Sequence, residues 1–361
     1  MKLYIISGEA SGDLHGSNLI KAIKKNHPNT LIRAWGGDLM RNAGADVVKD
    51  YRELAFMGFS EVVMNLRTIF RNIDYCKKDI LAFKPDTIVL IDYPGFNLRI
   101  AEWAKKEGFR VVYYISPQIW AWKQGRIKKI KAYVDEMCVV LPFEKDFYAR
   151  FNMDVHFVGH PLLDEIKEIP EKDRKKQIAL LPGSRKQEIN AMLPLMLKVA
   201  SNFKDYEVVI AGAPGQSPEF YEPFITGSNV KLVFGKTYEI LKSSAAGLVT
   251  SGTATLEAGL FKMPQVVCYK GSTISYWIAR QLVKIKYISL VNLILDKPSV
   301  KELIQHDFNE KTLHEELEKL LFSQEKRNQL DSDYQALYEK LGGGGASEKT
   351  ANVVLKSTSV N

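Results

Sequence analysis

Short apolar runs, each closed by a polar or small residue and followed by a stretch of helical period, recur from one end of this chain to the other. In the first half the runs are Leu3–Ser7, Leu31–Gly36, Thr87–Asp92, Val111–Ile115 and Met137–Leu141. The segments with helical spacing are Ser17–Asn26, Ile69–Phe83, Ile100–Glu107 and Arg126–Tyr133. Apolar runs this short and this continuous are the signature of strands buried on both faces, and their alternation with helices predicts parallel βαβ units. After Pro161 comes a charged stretch, Asp164–Lys176, with no apolar period. The alternation then restarts, with runs at Ile178–Leu181, Val208–Ala211, Val230–Phe234, Gly247–Thr250 and Gln265–Tyr269 and helical segments at Gln187–Phe203, Glu239–Ser244 and Thr255–Phe261. A length of 361 residues is about twice the common domain size. The expectation is therefore α/β, with two Rossmann-like doubly wound domains facing a cleft, residues 1–165 and 176–330. Residues 331–361 form C-terminal helices around the run Gly342–Gly345, which is read as a hinge or a frayed tail; this piece packs back on the N-terminal domain or on a second subunit.

Composition narrows the function classes. Hydrophobic residues are 46% and charged residues 25%, which leaves disordered and coiled-coil classes without support. Fifty Lys and Arg against 42 Asp and Glu give a net charge of +8, so an anionic partner is expected. The three cysteines Cys76, Cys138 and Cys268 are too few and too far apart for a disulfide framework, which fits a reducing cytoplasm. The apolar N-terminal stretch is too short for a signal-peptide core, and no segment reaches the length of a spanning helix, so membrane contact is expected to be peripheral.

In open α/β sheets ligands bind beyond the carboxyl ends of the strands, so the loops there are where chemistry is sought. The first, Ser7 to Gly16, offers Gly8, Glu9, Ser11 and Gly12 as ligand contacts and His15 or Glu9 as acid–base groups; Ser11 and Asp13 can alternatively cap the helix. The loop lacks G-x-G-x-x-G spacing, which disfavours a dinucleotide. Asp92 ends an apolar run at the domain rim, where a general base could stand. In the second half, Gly183, Ser184 and Arg185 join a strand to a helix carrying Glu188 in its first turn; Arg185 suits a diphosphate, or else pairs with Glu188. The segment Ser251, Gly252, Thr253, Ala254, Thr255 and Glu257 reads as a phosphate cradle with an acceptor for a ribose hydroxyl. Met57, Phe59, Val62, Val63, Leu66, Ile69 and Phe70, interrupted by Arg67 and Arg71, form an apolar segment for a membrane face or acyl chains, and Trp120 and Trp122 join them; core packing is the alternative. His156 and His160 share no helical face, so no zinc motif and no metal are expected. The basic stretch Lys123–Lys131 has no nucleic-acid motif beside it, and no nucleic-acid partner is expected.

Taken in order, these loops resemble one family, lipid-A-disaccharide synthase, a bacterial glycosyltransferase of GT-B type. The matching pieces are Ser7–Asp13, Met57–Val62, Ser116–Trp122, Leu141–Glu144, Phe157–Pro161, Leu180–Arg185 and Ser251–Glu257, followed by Tyr287–Leu293, so the resemblance spans nearly the whole chain. It implies transfer of 2,3-diacylglucosamine from its UDP-activated form to 2,3-diacylglucosamine 1-phosphate, with inversion and with release of UDP, at the anionic inner-membrane surface and without a cofactor. It also implies catalytic roles for Asp92 and Arg185, and a donor contact at Asn292, matched to the family's Asn-Leu segment. Many members carry an acidic residue where Gly95 stands and a proline where Val291 stands, which leaves Asp92 the one acid of its loop. A UDP-sugar epimerase or a soluble glycosyltransferase of the same architecture is the rival reading.

Overall fold

The computed structural model describes residues 1–54, 66–121, 124–166, 174–271 and 286–356. The chain forms two compact units, Met1–Asp164 together with the chain from Gly344, and Glu165–Gly343. The segment from residue 331 is thus divided between them.

Among the described residues the first unit carries seven parallel strands: β1 (Lys2–Ile6), β2 (Leu31–Gly36), β3 (Asp46–Asp50), β4 (Thr87–Ile91), β5 (Arg110–Tyr114), β6 (Glu136–Val139) and β7 (His156–Phe157). Their order in the sheet is β3-β2-β1-β4-β5-β6-β7. The second unit has β8 (Lys175–Leu181), β9 (Glu207–Gly212), β10 (Lys231–Phe234), β11 (Ser244–Thr250), β12 (Gln265–Tyr269) and β13 (Lys301–Ile304), in the order β10-β9-β8-β11-β12-β13. Each sheet reverses its direction of growth once, between β1 and β4 and between β8 and β11. Both are therefore doubly wound, as the alternation of apolar runs and helical segments predicts.

Three strands have no counterpart in the apolar runs: β3, β7 and β13. All three are sheet edges. An edge strand is half solvated, and its sequence, such as Asp-Val-Val-Lys-Asp, need not be a continuous apolar run. The central strands read clearly because they are buried throughout, as in β4.

One chain of polar groups crosses the first core fully paired. The Trp35 indole donates to the Tyr4 hydroxyl at 2.9 Å, which donates to Asp79 at 2.7 Å, and Asp79 also takes Arg33 at 3.0 Å. The charged stretch after residue 164 is not wholly a solvated linker: Arg174 donates to the carbonyls of Leu241, Lys242, Ser244 and Phe261, tying the start of β8 to the β11 side of its sheet.

The glycine run also has a defined place. Gly342 to Gly345 all take positive φ, a conformation glycine alone adopts without strain. They deliver the chain to helix Ala346–Lys356, which packs on helix α1 (Ala10–Asn26) of the first unit. Asp164 accepts the first amides of that last helix, from Gly345 at 2.7 Å, Ala346 at 3.1 Å and Ser347 at 2.9 Å. One carboxylate so satisfies three donors and opposes the helix dipole.

Replacing Asp164 with Ala should cost about 1–2 kcal/mol and release the last helix selectively. Hydrogen exchange would then show lost protection over Ala346–Lys356 with the central strands of the second unit unchanged; equal loss everywhere would contradict a local clasp.

Candidate functional site

Two groups of loops, one in each unit, lie at the points where the strand order reverses. In the first unit they follow β1 and β4. Asp92 and Tyr93 leave β4 with φ of 43° and 49°, and Ile115 leaves β5 with φ of 64°. Left-handed backbone costs a non-glycine residue of order 1 kcal/mol or more, most for a β-branched one. Three such residues at two neighbouring strand ends mark the place where the fold holds its backbone against local preference.

What holds it there is a set of ties to main-chain oxygens. The Asn97 amide donates to the carbonyls of Asp92 at 2.8 Å and Ile91 at 3.2 Å, and the Tyr113 hydroxyl donates to the Asp92 carbonyl at 2.6 Å. The Asp92 amide donates to Tyr114 at 3.1 Å. Asn97 and Tyr113 are buried. Neither was singled out for this role in the sequence, because a buried Asn in a helix's first turn looks like any other polar residue there. The Tyr93 ring lies over Gly8: a Cβ at Gly8 would stand 2.5 Å from it. Gly12 is required for a second close approach, since its Cβ would meet Ser7 at 2.7 Å.

Asp92 is half-buried, and its side chain is pushed up to about 6, first by burial and then by the negative charge of Glu9. It is mostly ionised at neutral pH and a stronger base than an ordinary carboxylate. His15 differs. Burial drives its ring down to about 4 against the pull of Asp164, and its Nδ1 is buried without a partner. His160, held down to about 3 by burial and then by His15, completes that cluster. Both candidate bases are thus unprotonated at pH 7, and Asp92 is the stronger by about two units.

Glu9 and Ser11 are exposed at the start of α1. Asp13 does not cap its own helix: its carboxylate accepts the amides of Gly37, Leu39 and Met40, capping the short helix Asp38–Asn42 instead. Sequence spacing favours the local cap because the distant partner, some 24 residues away, becomes a neighbour only once β1 and β2 pair.

In the second unit the loops follow β8, β9 and β11. Gly183 takes φ of 114° and a Cβ there would meet Glu188 at 2.8 Å. Glu188 accepts the amides of Ser184 and Arg185 at 3.1 and 3.3 Å and the Arg185 guanidinium at 2.8 Å. The Arg185 side chain is 69% exposed. An exposed pair of this kind is worth about 0.2–1 kcal/mol, so the guanidinium can change partner cheaply. From the loop after β9, Gln216 donates to the Ser184 carbonyl at 3.3 Å and brings a further amide side chain to this edge.

The loop after β11 corrects part of the expected cradle. Ser251 donates to the Ile288 carbonyl at 3.0 Å, and Thr255 donates to Gly252 at 2.8 Å and is fully buried. Those hydroxyl protons are spent inside the unit. The donors left facing solvent here are the first amides of helix Thr253–Leu260, beside exposed Gly252 and Thr253 with half-buried Ala254 next to them. Glu257 is half-buried on that helix, and burial raises its proton affinity.

Asn292 is also committed internally. Its amide nitrogen donates to Val300 and Glu302, both at 2.9 Å, and its oxygen accepts from Val300 at 2.9 Å. It ties the loop beside Ser251 and does not reach outward. Glu302 is the hub of that loop, accepting Ile288, Ser289 and Asn292 groups; its position on edge strand β13 hid it from the sequence reading.

Of the apolar segment, Met57, Phe59, Val62, Val63 and Trp122, with the side chain of Leu66, lie outside the described residues. On helix Leu66–Phe83, Ile69 packs against the core and so leaves the expected acyl face, while Phe70 is 53% exposed with Arg99 over its ring. Arg67, Phe70, Arg71, Asp74, Tyr75 and Lys78 line a surface hollow of about 540 Å³. Trp120 is half-buried, its ring edge-to-face with Phe143 at 4.9 Å. No helix among the described residues is long and apolar enough to cross a membrane.

The family described as lipid-A-disaccharide synthetase matches residues 3–356. The lipid-A-disaccharide synthase of Syntrophus aciditrophicus (strain SB) is 39% identical over 368 residues, 97% of this chain and 96% of the relative. That of Coxiella burnetii (strain Dugway 5J108-111) is 36% identical over 364 residues, 97% and 96% of the two chains. Among solved structures, UDP-GlcNAc 2-epimerase from Neisseria meningitidis bound to UDP-GlcNAc superposes with a TM-score of 0.69 at 14% identity, covering 99% of this chain and 100% of that one. The glycotransferase of kitacinnamycin gives 0.65 at 12% identity, with 98% of each chain covered. At such identities the likeness is one of fold.

Carbon-detected NMR with labelled aspartate should find the Asp92 carboxyl titrating near 6, and Glu9→Gln should move its midpoint downward. An Asp92 midpoint near 4 would show a solvated carboxylate and remove the basis for treating it as a tuned base.

Proposed function

The chain belongs to the lipid-A-disaccharide synthase family, whose glycosyltransferases form the lipid A disaccharide, and we propose that Asp92 and the second unit's phosphate cradle carry that reaction here. The donor is UDP-2,3-diacylglucosamine and the acceptor 2,3-diacylglucosamine 1-phosphate. Asp92 takes the proton of the acceptor's 6-hydroxyl. The freed oxygen attacks the donor's anomeric carbon from the face opposite the diphosphate, the bond to UDP breaks, and its electron pair leaves on the phosphate oxygen. Configuration inverts and a β-1,6 bond results.

The observation that carries this reading is the raised, half-buried Asp92 carboxylate held on strained backbone at the first unit's strand reversal. It supports Asp92 over His15, whose ring is the weaker base. Arg185 exchanges its exposed partner Glu188 for the departing diphosphate, so its charge is offered where negative charge develops. Amides at the start of Thr253–Leu260 hold the same phosphates, and Glu257 accepts from the ribose. Both substrates are anionic and acylated, which suits a net charge of +8. The hollow around Phe70, with Arg67, Arg71 and Lys78, supports a peripheral seat on the anionic inner-membrane surface. Asp164 and its clasp account for the last helix within one chain, so a homodimer is not needed to seat it.

UDP release from the two lipid substrates in detergent, with EDTA present, tests the reading. Asp92→Ala should lower turnover by about 10²–10⁴ while UDP affinity stays within about twofold. Glu257→Ala should chiefly weaken UDP binding. The wild-type rate should fall about tenfold per pH unit below about 6, as Asp92 gains its proton. Near-normal turnover in Asp92→Ala overturns the base assignment, and release from unacylated UDP-GlcNAc alone favours the epimerase reading.

A further inference from the structure

Beneath the loop that follows β5 lies a carboxylate that the reaction as described does not use. Glu144 sits in the first turn of helix Pro142–Ala149 and is 1% exposed. One of its oxygens accepts the amides of Val140 at 3.1 Å and Leu141 at 2.9 Å, which closes the helix N-terminus. A cap needs no more than that, and an exposed Glu would serve. The helix that carries it also meets the loop leaving strained Ile115: Phe143 packs edge-to-face with Trp120 at 4.9 Å, the Tyr148 hydroxyl bonds Ser116 at 2.7 Å, and the Ser116 hydroxyl and Trp120 indole N–H favour the charged form of the carboxylate. That indole N–H is buried without a hydrogen-bond partner, and the Ser116 hydroxyl is within bonding distance of the Pro117 carbonyl at 3.1 Å. The strand that feeds this loop is the one whose Tyr113 and Tyr114 bond to the Asp92 backbone.

We propose that Glu144 is a positioning residue for the acceptor: through Ser116 and Trp120 its carboxylate sets the loop Ser116–Trp120 beside the strand end that carries Asp92. The proposal rests on Asp92 serving the transfer reaction. The groups facing Glu144 are Ser116 and Trp120 from the loop, Tyr148 from its own helix and the two amides from the end of β6. Burial pushes the carboxyl up to about 7, so the charged form, the better acceptor for the unpartnered indole N–H, gains population as pH rises through neutrality.

Glu144→Gln keeps an oxygen for the two amides but presents an NH₂ to the indole, where two donors meet. The full-length protein is compared with Glu144→Gln, Trp120→Phe and the double variant. The tryptophan near-UV signal of the wild type should titrate with a midpoint near 7, and the change should vanish in Glu144→Gln and in Trp120→Phe. With melting temperature and UDP affinity unchanged, kcat/KM for the acceptor should fall at least about fivefold in each single variant, and about as much, not twice as much, in the double. The wild-type acceptor profile should lose its limb near 7 in Glu144→Gln and keep the one near 6. An unchanged tryptophan titration in Glu144→Gln, unchanged acceptor kinetics, or additive losses in the double variant would each overturn the proposal. A wild type that releases no UDP from the lipid substrates would fail the transferase reading instead, and the tryptophan arm would still decide whether Glu144 holds Trp120.

Discussion

Where two neighbouring parallel strands send their connections to opposite faces of a sheet, the loops above them part, and backbone amides and side chains at that spot face open space. This constraint, imposed at β1/β4 and again at β8/β11, decides where the chain can do chemistry. Every backbone peculiarity of the first unit's rim follows from using that spot. Asp92 and Tyr93 turn left-handed because the chain must leave β4 and enter a helix at once, with Pro94 fixing the first helical residue. Gly8 is a glycine because the Tyr93 ring then lies on it. The strain is met by buried donors, Asn97 and Tyr113, aimed at carbonyls that a relaxed turn would have satisfied differently.

The two units handle charge in opposite ways. In the first, burial does the tuning: Asp92 and Glu144 are raised, His15 and His160 are lowered, and groups of opposite type are brought toward the same neutral state. In the second, Arg185 stays in solvent against a partner it can leave, since a guanidinium's charge is fixed and only its partner can change. A proton acceptor profits from an environment that makes the proton welcome. On the proposed reaction, a counter-ion for a departing diphosphate profits from being free to move to it.

How much of this was legible in the sequence depended on whether the cause was local. The central strands were read to within three residues because burial on both faces forces a continuous apolar run, whereas β3, β7 and β13 went unread because an edge answers to solvent on one side. The loops that follow the central strands were read for the same reason, being fixed by the strands before them. What failed were assignments that depend on which distant atom arrives nearby. Asp13 caps a helix from another βα unit, Thr255 and Ser251 turn their hydroxyl protons inward, and Asn292 is occupied by Val300 and Glu302. A polar residue in a glycine-rich loop can serve a ligand or the loop, and the type of residue is the same in both cases. Only the partner tells them apart.

Glu302 and Asn97 make the complementary point. Each binds main-chain or amide groups of a loop that the sequence marks as important, and neither lies in the most telling part of a motif. A loop held at a strand end exposes more polar backbone than it can pair within itself, and each unpaired buried group costs about 1–3 kcal/mol. The carboxylate or carboxamide that satisfies them can come from any element close by in the fold. The loop's glycines and turns are constrained by its own backbone and can be read directly. Its supports are constrained only by geometry, so they surface once the strands are paired and the shortage of hydrogen-bond partners can be seen.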